Sequence, residues 1–233
     1  MYFLFDPRYW MFMLPTLVVM MAVQLYVKFA YARWSRVAAR SRFTGAQAAQ
    51  RLLQTAGLYD VRVVGVPGEM TDHYDPSKKV LALSEGTAMN SSVASLAIAA
   101  HELGHALQDR DDYLPLRFRA ALVPAVNIGS YLGWILILAG LLLNVTGLAW
   151  AGVAVFGFGA LFALATIPVE LNASSRARQL LTDSGLILGD EERNGVNQVL
   201  NAAALTYIAA LFTAVMQLLY YVTLVLGMGR RRD

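Results

Sequence analysis

The chain contains no cysteine and only three histidines in 233 residues, and just 15% of its residues are charged. The first absence excludes disulfides and thiolate metal sites, so any metal must be held by His, Asp or Glu. The shortage of charge, set against an apolar share of 57%, excludes an ordinary soluble domain of this length. No patch interleaves aromatic with basic residues, which argues against nucleic acid as a partner. The net charge of +3 comes from basic residues flanking apolar runs, where they suit lipid headgroups; membrane lipid is the partner this implies.

What is present is a set of long uncharged runs. Tyr9 to Val27 is long enough to cross a bilayer core. Basic residues follow it (Lys28, Arg33, Arg36) rather than precede it, and no small-residue cleavage site is evident, so it reads as a retained span, not a signal peptide. Ala120 to Val169 is again uncharged and is read as two spans, about 122–143 and 148–167, broken at Asn144, Thr146 and Gly147. Glycines on both halves (Gly129, Gly133, Gly140; Gly152, Gly157, Gly159) suit close helix contact in lipid. Asn194 to Gly229 supplies the last span, about 203–226.

The expectation is an α-helical membrane protein with four spans and a small α+β unit. Its segments are 1–30 (first span), 31–118 (catalytic α+β unit), 119–168 (membrane hairpin), 169–200 (second catalytic segment) and 201–233 (last span and basic tail). Within 31–118, Thr44 and Gln47 predict a capping box opening a helix that ends near Gly57. Val61–Val66 and Val80–Ser84 read as strands, and Ser91 or Ser92 opens a helix to about Gln108. In the second polar segment a helix is expected from Glu170 to Leu181. Fifteen of the nineteen Lys/Arg lie in or beside these polar segments, which favours a cytoplasmic side for them; Arg230 to Arg232 argue the other way.

His101-Glu102-Leu103-Gly104-His105 carries the chemistry. Residues four apart on a helix stand on one face, so both imidazoles reach one ion at about 2.0–2.1 Å, the usual Zn–N distance. Glu102 sits beside the first histidine, placed to act on a water without binding the metal. The alternative is a pair of helix histidines satisfied by backbone or water. A peptidase zinc needs a third protein ligand and an open position. His73 and several carboxylates compete for that role. Glu170, at the end of the third span, has the strongest claim, with Asn172, Ser174 and Arg176 as candidates to orient it. A helix N-terminal carboxylate explains Glu170 about as well. Glu85, Asp109, Asp111, Asp112, Asp183 and Glu191 sit in solvated charge clusters and have weaker claims.

The stretches Thr71–Pro76, Leu81–Ser84, Ala99–Gln108 and Ile167–Ser174 resemble the YugP-type neutral zinc metallopeptidases of bacterial membranes, and the likeness covers most of the chain. That family is more distantly similar to the HtpX and CAAX-prenyl endopeptidase group, where a Glu-x-x-Ala-Asp segment gives the third ligand. The resemblance implies Zn2+ as cofactor, His101, His105 and Glu170 as ligands, and Glu102 as general base. It matches Ala173 but puts Ser174 where the group has Asp. Asp72, His73, Tyr74 and Asp75 read as turn residues, with His73 alternatively a contact to substrate or the developing oxyanion. Arg176 and Arg178 are candidate oxyanion or substrate-carboxylate contacts, against the commoner role of lipid anchors.

The function expected is a membrane-embedded zinc endopeptidase of the bacterial cell membrane. It cuts membrane-associated or unfolded protein segments near the bilayer surface, with substrate added along an edge strand at Val80–Ser84. A scaffold or adaptor with a structural or inactive zinc site is the alternative, and a transporter is disfavoured by spans without ionisable residues. A membrane-protein complex partner or a homo-oligomer is compatible with the sequence.

Overall fold

In the computed structural model residues 6–229 are described. The protein is mostly helical. Among the described residues four helices are long and apolar enough to cross a membrane: α1 (Pro7–Trp34), α5 (Leu114–Leu142), α6 (Thr146–Asp183) and α7 (Asp190–Gly229). Only 11–22% of their most apolar windows is buried within the chain, so these surfaces require lipid around them. Between α1 and α5 lie α2 (Gly45–Ala56), β1 (Arg62–Val66), β2 (His73–Asp75), β3 (Val80–Ser84), α3 (Glu85–Met89) and α4 (Val93–Arg110). By contact the chain forms two compact units. One is drawn from Met1–Val23, Arg117–Pro168 and Thr206–Asp233, the other from Gln24–Leu116 and Val169–Leu205.

In the first unit the α5–α6 hairpin closes on small residues. A Cβ at Gly140 falls 2.4 Å from the backbone nitrogen of Ala149, and one at Gly152 falls 2.6 Å from that of Ile137. Gly157 and Gly159, expected to share this role, have nothing within 4 Å of a built Cβ; they face away from the contact. The turn passes through Asn144 in the left-handed region, φ 60°, which asparagine tolerates better than most residues.

The second unit is organised around α4. Its apolar residues are buried on nearly all sides (Val93, Leu96, Ala99, Ala100, Leu103, Ala106), as befits a central helix. Leu52 of α2, Leu81 and Leu83 of β3, Leu181 of α6 and Leu200 of α7 share its core. Each fully buried leucine contributes about 1.5–3 kcal/mol. Ser92 caps the start of α4 by accepting from the Ser95 amide, and Val93 N donates to Val37 O. Thr44 and Gln47 close the expected capping box on α2, and Gly57 ends that helix in the left-handed conformation.

Four features differ from the sequence expectations. First, the strand order is β1-β3-β2, so β3 is central, parallel to β1 (Val63↔Leu81) and antiparallel to β2 (His73↔Ala82). Val80–Ser84 is therefore the central strand and not the edge: β1 pairs along its whole length and β2 along Val80–Ala82. Second, His73–Asp75 is a strand, and the expected turn starts at its end, where the Asp75 carboxylate accepts from the Ser77 and Lys78 amides within Pro76–Lys79. Third, α3 was not foreseen. Fourth, Pro168 does not separate span from polar helix. α6 runs through it, although the proline nitrogen has no hydrogen to donate and its ring crowds the carbonyl of the preceding turn. The same continuity joins the acidic start of α7 to its apolar end.

Candidate metal centre

Every group of the candidate centre belongs to the second unit. His101 and His105 sit one turn apart on α4, their rings edge to face with centroids 4.9 Å apart. Glu170 Oε2, from α6, lies 3.2 Å from His101 Nε2 and 3.5 Å from His105 Nε2. One donor atom from each of the three lies within 4.8 Å of the other two. A tetrahedral zinc with bonds of about 2.0–2.1 Å needs donors roughly 3.3 Å apart, so the spacing fits.

Close approach of α4 and α6 makes this possible. A Cβ at Gly104 falls 2.4 Å from the carbonyl oxygen of Ala173, so only glycine lets the helices meet at that depth. The approach buries Ser174 and Glu170, each 2% exposed.

The hydrogen bonds behind the imidazoles test whether the group suits a cation. Gln108 is wholly buried, and its Nε2 donates to Val169 O at 2.7 Å and to Asn172 Oδ1 at 3.0 Å. Two acceptors on that side fix the amide's orientation, so its Oε1 faces His105 Nδ1 at 3.0 Å. An amide oxygen only accepts; His105 Nδ1 therefore carries the proton. In the protonated ring Nε2 donates to the Glu170 carboxylate, 3.5 Å away; in the neutral ring it turns a lone pair toward it, and the two lone-pair donors can then share a cation. His101 Nδ1 meets Ser174 Oγ at 3.2 Å, a hydroxyl that can accept a proton from the ring or donate one to it, and so a second hydrogen-bond partner behind a second imidazole. Ligating histidines are ordinarily held this way. The donor set, two imidazoles and one carboxylate, suits zinc.

Electrostatics describe the metal-free site, where a proton on His105 takes the place of the cation. Burial pulls His105 down, but its hydrogen bond with Glu170 and the charges of Glu102 and Glu170 outweigh it, and the ring's pKa is raised. Burial pushes up the Glu102 carboxyl, against the lowering effect of His101 and His105. Among the described residues Glu102 makes no hydrogen bond, so its carboxylate is available to a water or substrate.

The remaining sequence candidates are placed differently. Asn172 touches no ligand directly; its Oδ1 accepts from Gln108 and from Arg176 Nε at 2.8 Å. Arg176 in turn pairs with Asp111. His73 is exposed, its Nδ1 2.9 Å from Thr71 O, and it stands outside the ligand group. Its neighbour Asp72 accepts from Ser84 N and from the hydroxyls of Ser84 and Thr87, tying the approach to β2 onto β3 and α3. Tyr74 donates to Asp109, which also pairs with Lys79. Burial and that bond hold the Tyr74 hydroxyl well above the ordinary tyrosine range. Sequence reasoning passed over Gln108; the available signal was an uncharged amide on the buried face of an otherwise apolar helix, three residues after His105.

A mostly helical membrane-type chain with a His–His–carboxylate group is the setting of a membrane zinc peptidase. Residues 9–226 match the family described as "Putative neutral zinc metallopeptidase", and the chain belongs to it. Over 204 residues, 88% of this chain and 90% of the relative, it is 44% identical to the "Putative membrane protease YugP" of Bacillus subtilis (strain 168). No solved structure matches it.

Proposed function

We propose that this protein is a membrane zinc endopeptidase in which His101, His105 and Glu170 hold the metal and Glu102 is the general base. The observation that carries this reading is the convergence of three ligand atoms within 4.8 Å, with an amide oxygen behind His105 and a hydroxyl behind His101. Zinc, when bound, supplies a Lewis acid that polarises the scissile carbonyl and makes water more acidic. Glu102 takes a proton from the attacking water and delivers it to the departing amine nitrogen. Gln108 and Ser174 keep the Nδ1 proton on each imidazole and aim Nε2 at the metal.

The catalytic unit is zincin-like and is assembled from 31–118 and 169–200, with 1–30, 119–168 and 201–233 as its membrane parts. β2 rather than β3 has a free edge, and a substrate segment adds to it as an extended strand. Glu170 directly follows an uncharged run in sequence, which supports cleavage near the bilayer surface. Substrates are then membrane-associated or unfolded protein segments, as in quality control at a bacterial cell membrane, with the polar segments on the cytoplasmic side. A scaffold with a closed structural site requires a fourth protein ligand. Among the described residues the metal-capable group has three members, and His73 is not one of them.

The test is comparative proteomics of membranes carrying the wild-type chain or Glu102→Gln, with zinc measured on both. The reading expects equal zinc and accumulation of uncleaved membrane proteins in the variant. Unchanged protein fragments would remove Glu102 from its role.

A further inference from the structure

A groove of about 770 Å³ lies between α2, the segment leading into it, and the loop after α6, all within the second unit. It shares no residue with the candidate metal centre, and among the described residues no acidic side chain lines it. Its volume falls in the range of roughly 300–1,000 Å³ typical of ligand sites. Two cations line it, Arg42 and Arg51, both exposed. Among the described residues neither guanidinium has an ion pair or hydrogen bond.

Three further features give the groove its chemistry. The amides of Gln50 and Gln54 line the same exposed face of α2 one turn apart and are likewise unbonded among the described residues. The hydroxyl of Ser41 is buried with no hydrogen-bond partner. Phe43 and Leu188, 38% and 57% exposed, supply apolar surface. Arg42 itself stands in the left-handed region, φ 59°, a conformation that disfavours residues with a Cβ.

Unpaired guanidiniums recognise carboxylates, unbonded amides match peptide N–H and C=O groups, and apolar edges take intervening side chains. We propose that this groove is an exosite for an extended acidic peptide segment of the protein substrate. A lipid headgroup uses the two charges but leaves the glutamine amides and apolar edges idle. The substrate role rests on the peptidase reading; peptide binding at the groove does not.

Glu102→Gln protein, full length in phosphatidylcholine nanodiscs, is titrated with a short fluorescent peptide alternating Glu and Ala, followed by anisotropy. The analogue with Gln for Glu is the comparison. The acidic peptide binds more tightly by about tenfold or more, and its affinity falls as salt rises. Combined Arg42→Gln and Arg51→Gln removes that advantage, Arg62→Gln outside the groove keeps it, and zinc content is equal in all three. Equal affinity for both peptides, or full binding by the double variant, overturns the proposal. So does a loss of peptide binding accompanied by Arg42- and Arg51-dependent binding of phosphatidylglycerol vesicles, which assigns the groove to lipid. In the wild-type background, with the acidic peptide fused to a cleavable segment, the double substitution raises KM and spares kcat. A fall in kcat alone overturns the exosite role. Absence of any cleavage counts against the peptidase reading and leaves the binding result standing.

Discussion

The side-chain amide of Gln108 joins two of the three candidate ligands: its oxygen accepts from His105 Nδ1, and its nitrogen donates to the carbonyl of Val169, the residue before Glu170. One buried group thus sets the tautomer of one ligand and the position of another. Removing it has two expected consequences. Gln108→Leu weakens zinc binding by about 10–100-fold, the usual effect of losing a partner behind a ligand. It also costs about 1–3 kcal/mol of stability, because Val169 O and Asn172 Oδ1 lose a buried donor. Competition with a chelator and denaturant unfolding measure the two separately. An unchanged zinc affinity in a folded variant contradicts the role given to Gln108.

Ser174 is the milder counterpart. It offers His101 a neutral hydroxyl where the wider endopeptidase group resembled by the sequence has a carboxylate. Ser174→Ala is expected to lower zinc affinity by about tenfold, and Ser174→Asp to raise it, since a carboxylate strengthens the imidazole as a donor. The same competition assay reads both. Reversed order in the two variants contradicts the assignment.

Gly104 acts through space rather than chemistry. A methyl there meets the Ala173 backbone, which cannot rotate away as a side chain does. Gly104→Ala should separate α4 from α6, lower stability by about 1–3 kcal/mol and weaken zinc binding in parallel. Thermal unfolding with and without zinc checks this. A variant with wild-type stability and affinity shows that the helices have slack the structure does not.

Protonation gives a signed pH test. His105 has a raised pKa in the metal-free protein because its interactions with Glu170 and Glu102 outweigh burial. Its contribution to metal-free stability is therefore full below the unfolded value, about 6.5, and is lost as pH rises through the folded value. Zinc binding needs the ring's Nε2 free, so protons compete with the metal on the acid side. The zinc-induced rise in melting temperature should be smallest below about pH 6.5 and grow as pH passes through the raised value. A zinc effect independent of pH over this window contradicts His105 as a ligand.

Much of this was legible in the sequence because it is local. The capping box at Thr44 and Gln47, the glycine stop at Gly57 and the His101–His105 spacing all follow from contacts within one turn or one helix. The four apolar helices follow from length and composition alone. What escaped depends on partners distant in sequence. The three-residue strand His73–Asp75 is too short for a periodic signal and exists because β3 pairs with it. The edge strand was misplaced because strand order is invisible in two isolated apolar runs. Pro168 looked like a helix end, yet a packed helix tolerates one missing bond. Glu170 sits 65 residues beyond His105, and residues alone left its role open. Gln108 could only be understood once Val169 and Asn172 were beside it.

The central claim is that His101, His105 and Glu170 share one zinc while Glu102 leaves it free. Zinc per chain, measured after equilibrium dialysis of purified wild-type, Glu170→Ala and Glu102→Gln proteins against a weak chelator, tests it directly. The expected result is one zinc on the wild-type and Glu102→Gln chains and almost none on Glu170→Ala. Retention of a full zinc by the Glu170→Ala chain, or its loss from Glu102→Gln, contradicts the arrangement.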